Sequence, residues 1–226
     1  MALDAGAGQI QIEDTIESSL LERAGFFESF SAERLVENAE GKLSPPAACY
    51  QCYPRISEFE LSDRGSWTCV AACGRNEEDL GLGRLRNFHM REIVLVGSGN
   101  RVREERARWM DKIAEFARAL GLRVAFNLAS DPFFGTDETR GRKLVQQLKE
   151  LKFEMWAPIA QTVPNVAIAS FNLHERFFAQ RFGLRLSSGA DACTGCIALG
   201  LERWLLALVA ELGAFEAFDL VDGKLA

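Results

Sequence analysis

Two cysteines and one glutamate stand far apart in this chain, each in a segment rich in side chains able to do chemistry. Cys49 lies in SPPAACYQCYP, Glu92 in RNFHMREIV and Cys196 in CTGCIALGLER. Two thiolates and a carboxylate can hold Zn²⁺ with a fourth position left open, which is the pattern of a working site rather than a closed structural one. The spacing also allows a second arrangement, in which Cys49-x-x-Cys52 and Cys193-x-x-Cys196 pair as a four-thiolate structural site. Cysteine otherwise behaves as a small buried hydrophobe, and Cys52, Cys69, Cys73 and Cys193 are read as packing residues or free thiols. Only two histidines are present, His89 and His174, so a zinc site here must lean on Cys, Asp or Glu.

A second group of residues suits an anion. Arg75, Arg84, Arg86 and Arg91 fall on or beside a strand-loop-strand element, with Glu77 and Glu92 among them. The planar guanidinium bonds two phosphate oxygens at once, so arginine is the preferred phosphate partner. Against this stands the plainer reading of a solvated hairpin laced with salt bridges. Two other motifs are set aside. Val96-Gly-Ser-Gly-Asn lacks the third glycine of a dinucleotide loop and is read as a strand-to-helix turn. The arginines over 101–108 alternate with Glu104 and Glu105, as on a solvated helix face. His174, in SFNLHER, is read as a satisfied histidine rather than a ligand.

The elements that must position these residues follow from the apolar pattern. A chain of 226 residues, 48% apolar and 26% charged, can bury one full core. The division is an N-terminal arm over 1–18, partly flexible, and a single domain over 19–226. Helix is predicted over most of 15–38 with a break near Gly25, over 101–120 with Val102, Trp109, Ile113, Phe116 and Leu120 on one apolar face, over 138–150 and over 199–212; strands are predicted at 66–74, 88–96, 122–129, 152–159 and 165–172. The direct loops between several strands favour an α+β fold with an antiparallel sheet flanked by helices. The net charge of −6 does not advertise a nucleic-acid binder. The most apolar segment, 204–210, is too short to span a bilayer. No signal-peptide pattern is seen, and a cytoplasmic protein with reduced thiols is the expectation.

The motifs themselves carry a resemblance. C-G-R-N-E, a loop, then N-F-H-M-R-E resembles motif 2 of class II aminoacyl-tRNA synthetases, and GCIALGLERW resembles motif 3 at the head of a helix. The segments LLERAGFFESF, PPAACYQCYP, NFHMREIV, ASDPFFG, LKFEMWAPI, SFNLH and TGCIALGLERW, in that order, resemble the amino acid–[carrier protein] ligases. That family is homologous to the catalytic core of the atypical archaeal seryl-tRNA synthetases. The resemblance covers roughly residues 19–212. It implies a class II synthetase-like fold and an enzyme that uses ATP, Mg²⁺ and Zn²⁺. The implied reaction makes the adenylate of a small amino acid, glycine or alanine, and passes it to the phosphopantetheine thiol of a carrier protein.

Carried over, the resemblance gives Arg75 the α-phosphate, Glu77 the surroundings of the adenine amino group, Phe88 the adenine ring and Arg203 the γ-phosphate. Arg86 becomes a second phosphate contact, and Cys49, Glu92 and Cys196 the zinc ligands. It also implies a homodimer, and the acidic balance disfavours tRNA as acceptor. Several positions depart from the pattern. Gly74 replaces an aromatic residue, Ala198 a motif 3 glycine, and Glu13 and Asp14 stand where an interface proline is expected. The strand VAIASFN lacks the acidic residue that class II relatives offer Mg²⁺, and the N-terminal region of longer family members is read as missing. These departures imply an alternative, a weakened synthetase-like binding or regulatory module.

Overall fold

The computed structural model describes residues 6–77, 80–129, 150–160 and 165–223. Two strands of eleven residues, joined by the arginine-bearing loop, form its longest ladder. They are Arg64–Gly74 and Asn87–Gly97, paired antiparallel along their whole length. In chain order the strands are β1 (Gly8–Gln9), β2 (Arg64–Gly74), β3 (Asn87–Gly97), β4 (Ala125–Leu128), β5 (Lys152–Ala157), β6 (Val166–Glu175) and β7 (Cys193–Gly200). They make one sheet in the order β1-β2-β3-β7-β6-β5-β4. Every neighbouring pair is antiparallel except β1 with β2, which is parallel. The expected α+β architecture therefore stands.

Six helices are described: α1 (Ser18–Arg23), α2 (Cys52–Ile56), α3 (Gly99–Ala119), α4 (Phe177–Phe182), α5 (Leu201–Leu212) and α6 (Ala214–Val221). The sheet separates two apolar layers. On one face α3 and α5 bury Trp109, Ile113 and Trp204 against Ile93, Phe171 and Ile197. On the other face α2, α4 and the N-terminal segments bury Leu21, Tyr53 and Phe178 beside Cys49, Val94 and Cys196. Ile10 and Ile16 belong to this second layer. Alternation along β3 and β7 thus decides which residues can meet the site, because successive side chains point to opposite faces.

Differences from the sequence reading have local causes. The helix predicted over 15–38 is α1 followed by two single 3₁₀ turns at Phe26–Glu28 and Ala32–Arg34. The break expected near Gly25 is there, at φ 76°, the left-handed conformation that only glycine takes at little cost; what differs is that little regular α-helix follows it. Strand β7 was not foreseen at all. It is buried on both faces, so its apolar run carries no alternation to read. The helix placed at 199–212 begins only at Leu201. On α3, Phe116 lies at the margin of the expected apolar face, 42% exposed, with its ring centre 5.9 Å from that of Trp204. The strand predicted at 122–129 shortens to β4. The turn SDPFFG and nearly all of the helix at 138–150 lie outside the described residues.

The strand-to-helix turn at Ser98 is formed as expected, whereas the charged face over 101–108 is only partly solvated, since Glu105 and Arg106 are buried. Gly97-Ser98-Gly99 turns β3 into α3, with Ser98 N donating to Asp63 Oδ1 at 2.7 Å. Arg101 pairs with Glu104 at 2.7 Å, and Arg108 pairs with Glu105.

Gly195 shows how tightly the site-bearing strands are drawn together. A Cβ there would fall 2.7 Å from the carbonyl oxygen of Asn172 on β6 and 3.0 Å from Val102 Cγ1 on α3. Backbone cannot yield as a flexible side-chain tip can. Gly195→Ala should therefore destabilise the fold by about 1–3 kcal/mol, as overpacking typically does. The denaturant midpoint is expected to fall with an unchanged slope.

Candidate active site

The three residues separated by more than a hundred positions in sequence converge. One ligand atom from each of Cys49, Glu92 and Cys196 lies within 4.8 Å of the others, and all three residues are buried. The sheet brings two of them in: Glu92 faces Ala198, and Cys196 faces Val94, so both side chains are on the α2 face. Cys49 arrives from a 3₁₀ turn at Ala48–Gln51 that precedes α2. Pro45 and Pro46 lead into that turn, and Ala48 N donates to Glu92 Oε1 at 2.8 Å, fixing the carboxylate. Asn172, paired with Cys196 across the sheet, puts its side-chain amide 3.5 Å from the Cys196 sulfur.

Electrostatics test whether this donor set suits a cation. Hydrogen bonding to Cys196, burial and the neighbouring Glu92 push the Cys49 thiol well up. Burial raises the Glu92 carboxyl despite its contact with Cys49. For Cys196 the contact with Cys49 pulls down, yet burial and Glu92 together raise it. Glu92 Oε2 is buried without a hydrogen-bond partner. Three buried acidic groups whose charged forms burial disfavours, with an orphaned carboxylate oxygen among them, fit a divalent cation that would satisfy all three. Two sulfurs and one oxygen suit Zn²⁺ with a position to spare.

The four-thiolate arrangement is not formed. Among the described residues the Cys49–Glu92–Cys196 cluster is the one group of three or more such ligands. Cys52 instead donates from Sγ to Ala48 O at 4.0 Å and is buried in the same layer as Cys69 and Cys73 of β2, while Cys193 is half-buried elsewhere. All six cysteines are free. His174 is also no ligand. Tyr53 Oη and Thr194 Oγ1 lie 3.3 and 3.4 Å from its Nδ1, and burial lowers its pKa to about 3.

Beyond the cluster a cleft widens toward solvent in three connected cavities. The innermost, about 50 Å³, is walled by Cys49, Glu92, Cys196, Asn172, Ala47 and Ala198. The next, about 140 Å³, holds Phe88, Glu77, Ser170 and Arg203. The outermost, about 700 Å³, adds Tyr50, Phe30 and Trp156. Arg75 stands beside all three. Its Nε donates to Pro46 O at 2.7 Å, and its guanidinium lies 5.3 Å from the Phe88 ring centre. Arg203 donates from Nε to Gly83 O at 2.7 Å and from an Nη to Ala167 O at 2.8 Å. Two carbonyls on different elements thereby hold its planar fork in place.

Of the sequence-predicted residues, Arg75, Glu77, Phe88 and Arg203 share this cleft. Arg86 does not line it, and donates instead to Asn76 Oδ1 at 2.6 Å. Arg84 lines the two outer cavities in its stead. Burial lowers the Arg203 pKa, and Arg75 and Arg84 lower it further, so three guanidinium groups crowd one region. Such a cluster favours an anion with several oxygens. Sequence reasoning missed Lys152 and Glu154, paired at 2.9 Å in the cleft. Their period-two spacing in LKFEMWAPI was the available signal.

Comparison with known proteins agrees with the fold. The family model of the tRNA synthetase class II core domain (G, H, P, S and T) matches residues 67–212. Amino acid–[acyl-carrier-protein] ligase 1 of Bradyrhizobium diazoefficiens is 33% identical over 234 residues, covering 91% of this chain and 72% of the relative. Ligase 2 of the same organism is 35% identical over 167 residues, covering 72% of this chain and 49% of its own length. Among solved structures, M. kandleri SerRS in complex with A. aeolicus tRNASec superposes with a TM-score of 0.77 at 18% identity. That match covers 98% of this chain and 53% of the other.

Metal analysis of the purified protein should find about one zinc per chain, as a singly occupied open site requires. Cys49→Ala or Cys196→Ala should release it while the far-ultraviolet spectrum stays folded, whereas Cys52→Ala should keep it. Zinc retained in both of the first two variants would remove these residues as ligands.

Proposed function

Since the chain belongs to the amino acid–[acyl-carrier-protein] ligase family with its class II synthetase core, we propose that it activates a small amino acid with ATP and loads it onto a carrier protein. The single observation that carries this reading is the cleft's division by charge. Its inner end gathers three acidic ligands around about 50 Å³, and its outer part gathers Arg75, Arg84 and Arg203. A ligand with an amine at one end and phosphates at the other is complementary to both.

Cys49, Glu92 and Cys196 would hold Zn²⁺. When bound, the ion supplies a Lewis-acid seat for a neutral α-amine, which selects an amino acid over a plain carboxylic acid. The inner cavity, closed by Ala47, Ala198 and Met90, supports a small side chain, glycine or alanine. Phe88 offers its ring face to adenine, with Glu77 nearby for the exocyclic amine. Arg203 and Arg84 take the outer phosphates, and Mg²⁺ enters with ATP.

The substrate carboxylate is already a nucleophile, so no residue need remove a proton. Its oxygen attacks the α-phosphorus in line, the bond to pyrophosphate breaks, and pyrophosphate leaves with the electron pair. Arg75, held by Pro46 O, faces the charge that grows on the α-phosphoryl oxygens. The phosphopantetheine thiol of the carrier then attacks the mixed anhydride and releases AMP. A thiol arm needs only a narrow path and a small, transient docking patch. A tRNA acceptor would need an extended basic surface, which a chain of net charge −6 does not favour. We also propose a cytoplasmic homodimer. It is to be checked by sedimentation at micromolar concentration, where a monomer would count against it.

The deciding assay is amino-acid-dependent pyrophosphate exchange with all twenty amino acids, followed by weighing an intact phosphopantetheinylated carrier protein. Glycine or alanine should drive exchange, and the carrier should gain an aminoacyl mass that hydroxylamine removes. Arg75→Ala and Arg203→Ala should each lower exchange by about a hundredfold or more, the usual cost of losing a preorganised charge contact. Wild-type exchange in either variant, or charged tRNA with the carrier unmodified, would contradict the reading.

A further inference from the structure

All six cysteines are free, but they are not equivalent. Cys49 and Cys196 wall the inner cavity of about 50 Å³, which opens outward through the rest of the cleft. Cys52, Cys69 and Cys73 are buried in the layer on the α2 face and line none of the three cleft cavities. Cys193 lines a separate cavity of about 310 Å³, with no second cysteine among the described residues of its wall. One pair of thiols is therefore both close together and within reach of a small solute entering from solvent.

The Cys49 and Cys196 sulfurs lie within 4.8 Å of each other. A disulfide needs about 2 Å, so closure asks a shift of under about 3 Å, roughly what one cysteine rotamer change supplies. The two carriers differ in how far they can yield. Cys196 sits in β7, hydrogen-bonded to β3 on one side and to β6 on the other, and Gly195 beside it packs tightly against Asn172 O and Val102. Cys49 sits in a single 3₁₀ turn outside the ladder. The movement therefore falls to Cys49. Glu92 stays behind, held by Ala48 N, and one carboxylate makes a poor zinc site on its own.

Resting on the ligase reading and its zinc site, we infer that Cys49 and Cys196 form an oxidation site, at which hydrogen peroxide closes the pair into a disulfide, frees the metal and stops amino acid activation. A thiol held by a metal is present as thiolate, the form that attacks peroxide. One thiolate takes an oxygen from peroxide and becomes a sulfenic acid, while the O–O bond breaks and hydroxide leaves. The second thiolate attacks that sulfur, the S–O bond breaks and a second hydroxide leaves. Two electrons pass from the sulfur pair to peroxide, and no other oxidant or reductant takes part. With both thiolates consumed the amine seat is lost, while Arg75, Arg84 and Arg203 keep the phosphate end of the cleft. A small thiol reduces the disulfide again, so the change is reversible.

The test treats the purified, zinc-loaded chain with hydrogen peroxide and then blocks the remaining thiols with an alkylating agent. Non-reducing peptide mapping, zinc release to a chromogenic chelator, ATP titration calorimetry and pyrophosphate exchange are read on the same sample. The expected product is a disulfide between Cys49 and Cys196, with about one zinc freed per link. Exchange should fall about tenfold or more with little change in ATP affinity, because the lost group serves the amine. Dithiothreitol with added zinc should restore exchange. Cys52→Ala and Cys193→Ala should form the link and release zinc as the wild type does. Zinc kept through the treatment overturns the inference. So does zinc freed without that link, with oxidation found at Cys193 alone or between Cys52 and Cys69. A purified chain without zinc removes the metal reading; the thiol pair is then judged on the link alone, and its absence overturns the inference. A reduced chain that exchanges with no amino acid removes the ligase reading and leaves the link and the zinc to decide this one.

Discussion

Titratable groups of one kind crowded at each end of a single cleft are the constraint on which the rest of this structure depends. At one end burial raises the cost of ionising Cys49, Glu92 and Cys196, and Glu92 adds to it for both thiols. At the other, Arg75 and Arg84 depress the pKa of Arg203. Each cluster alone opposes folding, because buried charge is stable only when paired. Together, spaced along one cleft, they define a ligand with a cationic or metal-bound end and a polyanionic end. The fold holds this arrangement because its charges are fixed by backbone. Ala48 N fixes Glu92, Pro46 O fixes Arg75, and Gly83 O and Ala167 O fix Arg203.

Strand β3 joins the two ends. Phe88, Met90 and Glu92 alternate onto one face and run from the arginine-rich middle of the cleft to the Cys49–Glu92–Cys196 cluster. Ile93 and Leu95 point the other way into the layer beneath α3 and α5. A one-residue slip between β3 and β7 would send Glu92 into that apolar layer and separate it from Cys196. The close approach of Gly195 to β6 and α3 leaves little room for such a slip. Packing on the helical face thus sets the geometry of the chemical face.

Much of this was legible in the sequence. Strands β2 and β3 announce themselves by β-branched and aromatic content, and α3 by its spacing of Val102, Trp109 and Ile113. The trio of Cys49, Glu92 and Cys196 was picked out by the motif resemblance, since spacing alone left the four-thiolate pairing and plain packing open. What escaped was the part written in tertiary pairing. Strand β7 is buried on both faces and shows no period. Arg84 and Arg86 are two apart on one loop, and only the backbone path, with the Gly81–Arg84 turn, decides which enters the cleft. Lys152 and Glu154 read locally as polar residues of an ordinary strand, and only the row through Asn172 to Cys196 shows where they end.

The same geometry bears on the departures in the motifs. Ala198 stands where a motif 3 glycine is expected, yet its small side chain lines the inner cavity opposite Ser170 and beside Glu92. A methyl group there trims the space for a substrate side chain and leaves the backbone ladder intact. Gly74 lies where an aromatic residue is expected, and a Cβ at that position would meet Ser44 and Val36 at 2.8 and 2.9 Å. Those two residues belong to the segment that delivers Pro46 and Cys49. A larger residue at 74 would push that segment outward, and with it the carbonyl that holds Arg75 and the thiol beside Glu92. Glycine at this point therefore goes with close docking of the N-terminal segment on β2, which brings the third acidic ligand to the other two.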